Sequence, residues 1–535
     1  MKLKFHPALG FNCSDGIGIL SKNWRVIGAA ALTSLSMSLY TVPSFAASAS
    51  AVSPTKVILG KTLVSGVDDG TVVSFKGIPY AAPPVGDLRW KPPAAFTADR
   101  DQIDASSFGP DCAQNSPYPE SLGKGSSEDC LYLNIWTPKA ARKPLPVIVF
   151  IHGGGFEYGS GAIPMYDGTS LARRDVLVVN FNYRLGIFGF LAHSGLSKES
   201  PRHVSGNYGL LDQIAALTWV KKNIRAFGGD PSRVTLMGQS AGSRSVSLLM
   251  TSPLANGLFE QVILQSGAGL RHVPDLHDAE QKGDSLGSLN TLRAKSTDEL
   301  LALSSAMKAS EGGLLEPSWG KPVVDRWAIP RDQIESFKTG AYRAVPMILG
   351  TNANEGGAFV RRSDREDQET FNQTLAKNFG ALAPQLATVY QTEDFHAAHE
   401  KLWTDMEFNL PAERLAALSS KVQPATYRYS FARRRNESNT LPVHGDELQY
   451  VFGTLNTPHK GKIQPSDLGD RALSEEIQSS WVSFAKTGHP DTNQSVSWPK
   501  YSKAKMCFVF DVPGRVAACP DVATIEKILS HQTAY

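Results

Sequence analysis

After residue 46 the chain has no run of about 18 continuous apolar residues, so no membrane span is expected in that part. It carries no surplus of charge there either. Lys2, Lys4, Lys22 and Arg25, against Asp15 alone, account for the whole net charge of +3. A neutral body gives no electrostatic case for nucleic acid or an anionic membrane surface as a partner. Internal repeats and low-complexity linkers are missing. Cysteine is scarce, five in 535 residues; the spacings do not fit a zinc site, and no metal is expected. Disorder is excluded as the main state, because 41% hydrophobic and 20% charged residues suffice to build a core.

The N-terminus reads as an address. Lys22 and Arg25 precede an apolar stretch, Val26 to Phe45, which closes on the small residues of Ser44-Phe45-Ala46. This is the pattern of a secretory signal peptide, residues 1–46, with cleavage after Ala46. A membrane anchor is the rival reading, disfavoured by the interrupting serines and Pro43. Residues 47–535 then form one domain, secreted or periplasmic. Export leaves Cys112, Cys130, Cys507 and Cys519, an even number in an oxidising compartment, which suggests two disulfides. Three pairings are possible; the sequence-local one joins Cys112 to Cys130 and Cys507 to Cys519.

Apolar runs alternate with helical patterns. Val147–Ile151 and Val176–Phe181 read as strands buried on both faces. Leu210 to Phe227 reads as a helix, with apolar residues at spacings of three and four, stopped by Gly228-Gly229-Asp230-Pro231. Arg233–Met237, Val262–Leu264 and Val345–Leu349 are further strands. The alternation predicts an α/β fold, a mostly parallel mixed central sheet flanked by helices. Segments 270–345 and 360–440 read as helical excursions that shape a pocket.

The strand at 233–237 runs into Gly238-Gln239-Ser240-Ala241-Gly242 and then into helix-compatible Ser243–Met250. Strand, sharp turn and helix are the setting of a nucleophile elbow, which lifts the Ser240 hydroxyl over the sheet edge. His152-Gly153-Gly154-Gly155-Phe156 follows the strand that ends at Ile151. The amides of Gly154 and Gly155, with that of Ala241, are candidate donors to the oxyanion of a tetrahedral intermediate. A phosphate cradle is the poorer reading, since no Lys-Ser/Thr pair follows. A serine needs a base. Where the order is Ser, acid, His, chain position favours His444 as base, with His489 the runner-up, and Glu355, after the strand 345–349, as acid.

At these residues the chain resembles the type-B carboxylesterase family. Phe227–Gly242 matches its nucleophile signature, and Glu128–Pro138 its second signature. Phe75–Ala81, Leu88–Trp90, Asn182–Gly186 and Gly206–Gln213 are also family-like, so the likeness spans roughly residues 55 to 510. The resemblance implies an α/β-hydrolase fold, a Ser240–His444–Glu355 triad working through an acyl-enzyme, and a small-molecule ester substrate without a cofactor. It also implies a Cys112–Cys130 disulfide and structural ion pairs, Arg89 with Glu128 and Arg184 with Asp212. Carbamate or amide hydrolysis by the same triad, and a non-catalytic binding protein on the same fold, are the alternatives; the intact triad and glycine loop speak against the second.

Two positions depart from the family pattern. Gln239 stands where the family often has Glu, and is expected to tune the base or the substrate charge preference. Arg244 follows the elbow and reads as a solvated or ion-paired helix residue; the sharper reading is a contact to an anionic substrate group. The loop between Cys112 and Cys130 carries no Trp, which disfavours binding of choline-like cations.

Overall fold

A computed structural model describes residues 55–97, 101–267, 269–309, 320–360, 367–438, 440–491 and 496–530. The proposed signal segment lies outside them. The centre is an eleven-stranded sheet: β1 (Val67–Asp68), β2 (Val72–Pro79), β3 (Tyr132–Pro138), β4 (Leu145–Ile151), β5 (Leu177–Phe181), β6 (Gly229–Gln239), β7 (Gln261–Gln265), β8 (Met347–Asn352), β9 (Thr426–Phe431), β10 (Met506–Phe510) and β11 (Arg515–Ala518). Their spatial order is β11-β10-β9-β8-β7-β6-β4-β5-β3-β2-β1. The seven from β4 to β10 run parallel, and the flanking strands pair antiparallel. The mixed, mostly parallel sheet is the predicted one.

The apolar run in β4 is buried on both sides. Val147, Val149 and Ile151 join one core cluster, while Ile148 and Phe150 join another. Alternation of side chains along a strand sends neighbours to opposite faces, and each face is roofed by helices. On one lie α1 (Tyr208–Asn223), α2 (Ala241–Thr251) and α4 (Leu410–Ser419), the last preceded by α3 (Phe395–Thr404). On the other lie α5 (Leu448–Phe452) and α6 (Leu468–Thr487).

The helix expected at 210–227 is α1 plus a tighter turn, Ile224–Phe227, which Gly228 ends at φ 89°. The reading of 360–440 as helical excursion needs correction at its end. Thr426–Phe431 is a central strand between β8 and β10. Its mid-strand Arg428 is fully buried and bonds Glu413 at 2.9 Å, which puts an ion pair in the core. The cysteines adopt the sequence-local pairing, Cys112 with Cys130 and Cys507 with Cys519. Arg89 and Arg184 make the expected two-pronged ion pairs with Glu128 and Asp212.

The chain leaves β4, builds β5 on one side, then returns to build β6 on the other. The strand order therefore reverses between β4 and β6. Crevices of this kind, at the carboxyl ends of parallel strands, are where open α/β sheets hold ligands. Ile151 pairs with Gly238 there, so the glycine loop and the serine turn leave adjacent strands side by side.

Candidate active site

Ser240 occupies the turn between β6 and α2 with φ 56° and ψ −124°. Few non-glycine residues tolerate this region, and the strain persists only where surroundings impose it. They do so here. Ser240 N–H donates to Gln265 O at 2.9 Å, and Arg244 N–H donates to Ser240 O at 2.9 Å. A Cβ on Gly238 would collide with the backbone of Gly242, and one on Gly242 with the carbonyl of Ile151. The two glycines of the pentapeptide are what let the helix start press against the sheet.

The glycine loop turns back on itself, with Glu157 and Tyr158 N–H both donating to Gly154 O at 3.0 and 3.1 Å. Among the described residues, the amides of Gly154, Gly155 and Ala241 donate no hydrogen bond. They remain available to an incoming oxygen. Lys321 Nζ bonds Gly155 O and, at 2.8 Å, Glu157 Oε1, which ties the loop from outside. His152, at the head of the loop, is buried and stacked on Tyr183 with ring centres 4.5 Å apart. Burial pulls its imidazole down to about 4, so it is neutral and structural.

His444 and Glu355 are brought together. Nδ1 of His444 lies 2.6 Å from Glu355 Oε2, and Glu355 is fully buried. The other carboxylate oxygen accepts the Asn352 backbone N–H at 2.7 Å. Glu355 lies one short turn beyond the end of β8, so its position is set by the sheet. This contact assigns the imidazole's tautomer: Nδ1 carries the proton toward the carboxylate, and Nε2 is left as acceptor. Nε2 stands 3.3 Å from the Gln239 amide nitrogen, a donor to that lone pair. Among the described residues, Ser240 Oγ makes no hydrogen bond to the imidazole. Catalytic hydrogen bonds commonly tighten only when substrate arrives. His489 is elsewhere, its Nδ1 2.6 Å from Tyr427 OH beyond the end of α6.

Five further residues shape the site and were not foreseen. Asn352 donates its side chain to Val443 O and to Glu447 Oε2, at 2.7 and 2.6 Å, fastening the loop that carries His444. Glu447 is buried, and desolvation, then the charge of Glu355, pushes its carboxyl up to about 7. Asp446 is likewise pushed up to about 6, by burial first. The rings of Phe359 and Phe408 lie 5.0 and 4.9 Å from that of His444 and form an apolar wall. Phe408 belongs to a single wide helical turn, Asp405–Asn409, set between α3 and α4. Such turns often mark functional positions. The sequence signal for Glu447 was its place in His444-Gly-Asp-Glu; Asn352 and the two rings had none.

Comparison with known proteins gives the family. Residues 52–515 match the Carboxylesterase family. Fumonisin B1 esterase of Sphingopyxis macrogoltabida is 42% identical over 450 residues, 82% of this chain and 83% of the relative. Para-nitrobenzyl esterase of Bacillus subtilis (strain 168) is 37% identical over 455 residues, 82% of this chain and 91% of the relative. Among solved structures, a thermophilic PNB esterase superposes with a TM-score of 0.80 at 34% identity, covering 89% of this chain and 100% of its own. The fold shared with that structure is the α/β-hydrolase fold, and by this match and these relatives the chain belongs to the carboxylesterase family and is a carboxylic ester hydrolase.

Proposed function

We propose that this hydrolase works through Ser240, His444 and Glu355 with the amides of Gly154, Gly155 and Ala241 as its oxyanion hole. The observation that carries the reading is the buried 2.6 Å contact of Glu355 with His444 Nδ1, at the same end of the sheet as the strained Ser240 turn. Ser240 Oγ attacks the ester carbonyl while His444 Nε2, displacing its contact with Gln239, takes the hydroxyl proton. Glu355 holds the ring and stabilises the imidazolium. The carbonyl oxygen becomes an oxyanion facing the free amides, where fixed dipoles lower its energy without reorganisation. Collapse expels the alcohol, protonated from Nε2, and leaves an acyl group on Ser240. Water, deprotonated by the same nitrogen, releases the acid.

Residues 1–46 are proposed as an export signal and 47–535 as the working domain, supported by the two disulfides. The test of the chemistry is hydrolysis of p-nitrophenyl esters by wild type and Ser240→Ala. The expected loss in kcat is about 10⁴- to 10⁶-fold, as for removal of a nucleophile acting in a unit. Unchanged turnover in the variant would overturn the assignment. Mass analysis of the exported protein, expected to start at Ala47, tests the address.

A further inference from the structure

We propose that Arg244 is the anchor for a carboxylate carried by the ester substrate, so that this site is built for anionic esters; this rests on Ser240 being the nucleophile. Arg244 lies one helical turn beyond Ser240 on α2, joined to it by the bond from its N–H to Ser240 O. Residues so spaced share a helix face, and helical side chains lean toward the N-terminus. The Arg244 side chain packs beside Gly269, two residues along the chain from Gly267, which is pressed against the Ser240 backbone.

Its guanidinium is uncompensated. Among the described residues it makes neither an ion pair nor a hydrogen bond, and Nε is shut off from solvent without a partner. The two terminal nitrogens, equally unbonded, are not sealed, so they open onto reachable space. Of the two readings of this residue, ion-paired does not hold; it is half-buried, with its terminal nitrogens reachable by solvent. The acidic groups around it are taken. Glu407 is paired with Arg271, whose Nη2 also donates to Glu407 O at 2.8 Å. Asp332 caps a helix through Ile334 N–H at 2.9 Å and accepts Val273 N–H at 3.0 Å. Two arginines thus share two carboxylates, Glu407 and Asp332, and neither carboxylate bonds Arg244.

The unbonded guanidinium lies beside the site. Glu407 precedes Phe408, whose ring packs on His444. Burial, with the charge of Arg271 second, lowers the Arg244 guanidinium only to about 10, so it stays protonated at neutral pH. An unpaired cation withdrawn from water is costly and is normally neutralised by a partner. A carboxylate suits the role, because its two oxygens match the planar fork of the guanidinium. A substrate that brings its own negative charge completes the pair.

The experiment compares kcat/KM of wild type, Arg244→Met and Arg244→Lys on three esters. One is neutral, p-nitrophenyl heptanoate. One carries the charge on the acyl side, the mono-p-nitrophenyl ester of adipic acid. One carries it on the alcohol side, 4-acetoxybenzoate. The expected result is a loss of about 10- to 100-fold in Arg244→Met on one anionic ester, mostly in KM, with the neutral ester within a few-fold. Arg244→Lys should recover part of it, keeping the charge but not the fork. Which anionic ester suffers tells the side of the carboxylate. The Tm of Arg244→Met should hold or rise, since an uncompensated charge is gone. Equal losses on all three esters with a lower Tm would overturn the proposal and make Arg244 structural. So would wild-type turnover of the neutral ester through Ser240 with no use of either anionic one; the esterase reading would then survive. Turnover of none of the three by wild type would overturn both.

Discussion

Arg184 is buried and Arg244 half-buried, and the protein treats them in opposite ways. Arg184, beside α1, gives Nε and Nη2 to Asp212 at 2.8 and 2.7 Å and Nη1 to Lys91 O at 2.8 Å. Every face of that guanidinium is answered within the fold. Arg244, on α2 at the active end of the sheet, is answered by nothing in the described residues. The fold closes the Arg184 charge as the chain folds. The reaction end leaves groups open: three unused amides, a histidine lone pair held by an exchangeable amide, and one cation. What distinguishes Arg244 from Arg184 is less the kind of residue than whether its valences are already filled.

The strongest way to break this contrast is at Glu355, where the two regions meet. The carboxylate is buried and bonded like a scaffold group, yet it faces His444. Glu355→Gln keeps an oxygen for the Asn352 amide but removes the charge that fixes the imidazole tautomer. Its kcat should fall about 10⁴-fold. Thermal unfolding should stay close to wild type. A large loss of Tm instead would class Glu355 with the scaffold.

The second largest effect separates the two arginines by sign. Arg184→Met strands Asp212, which is fully buried, and should cost about 3–5 kcal/mol of stability. Activity per folded molecule should be little changed. Denaturant titration checks both arginines side by side: Arg184→Met should lower the midpoint, while Arg244→Met leaves it level or raises it. Midpoints that fall alike would erase the distinction drawn here.

The same distinction explains what could be read from the chain. Local demands were legible. Val147–Ile151 is apolar throughout because both faces of β4 are covered. Gly238 and Gly242 flank Ser240 because no side chain fits at either place. His444 and Glu355 followed from chain order and meet as expected. Groups whose role depends on distant neighbours were not legible. Thr426–Phe431 hid as a polar segment because Arg428 finds Glu413 only after folding. Asn352 and Glu447 lie far apart in sequence and share one hydrogen bond of 2.6 Å. Arg244 was visible as a charge in an unusual place, but its lack of a partner is a property of the folded surroundings.

The smallest of these effects concerns Glu447, a group the site end leaves poorly compensated. Its carboxyl is pushed up to about 7 from an ordinary 4.5, by burial first and by Glu355 second. The native state therefore holds this proton more tightly than the unfolded chain. Stability from the protonated form is full below about pH 4.5 and is lost as pH rises through about 7. The ceiling on that loss is roughly 3–4 kcal/mol, from 1.36 kcal/mol per pKa unit. Asp446, pushed up to about 6, acts with the same sign. Glu447→Gln cannot titrate, so its stability should decline less across this range, and the remaining decline should end near pH 6. Denaturant midpoints at pH 4.5, 6 and 7.5 read this directly. Parallel curves for wild type and variant would mean that Glu447 is charged throughout, its partners Asn352 and Gln265 sufficing to hold the anion, and would place it with Asp212 rather than with Arg244.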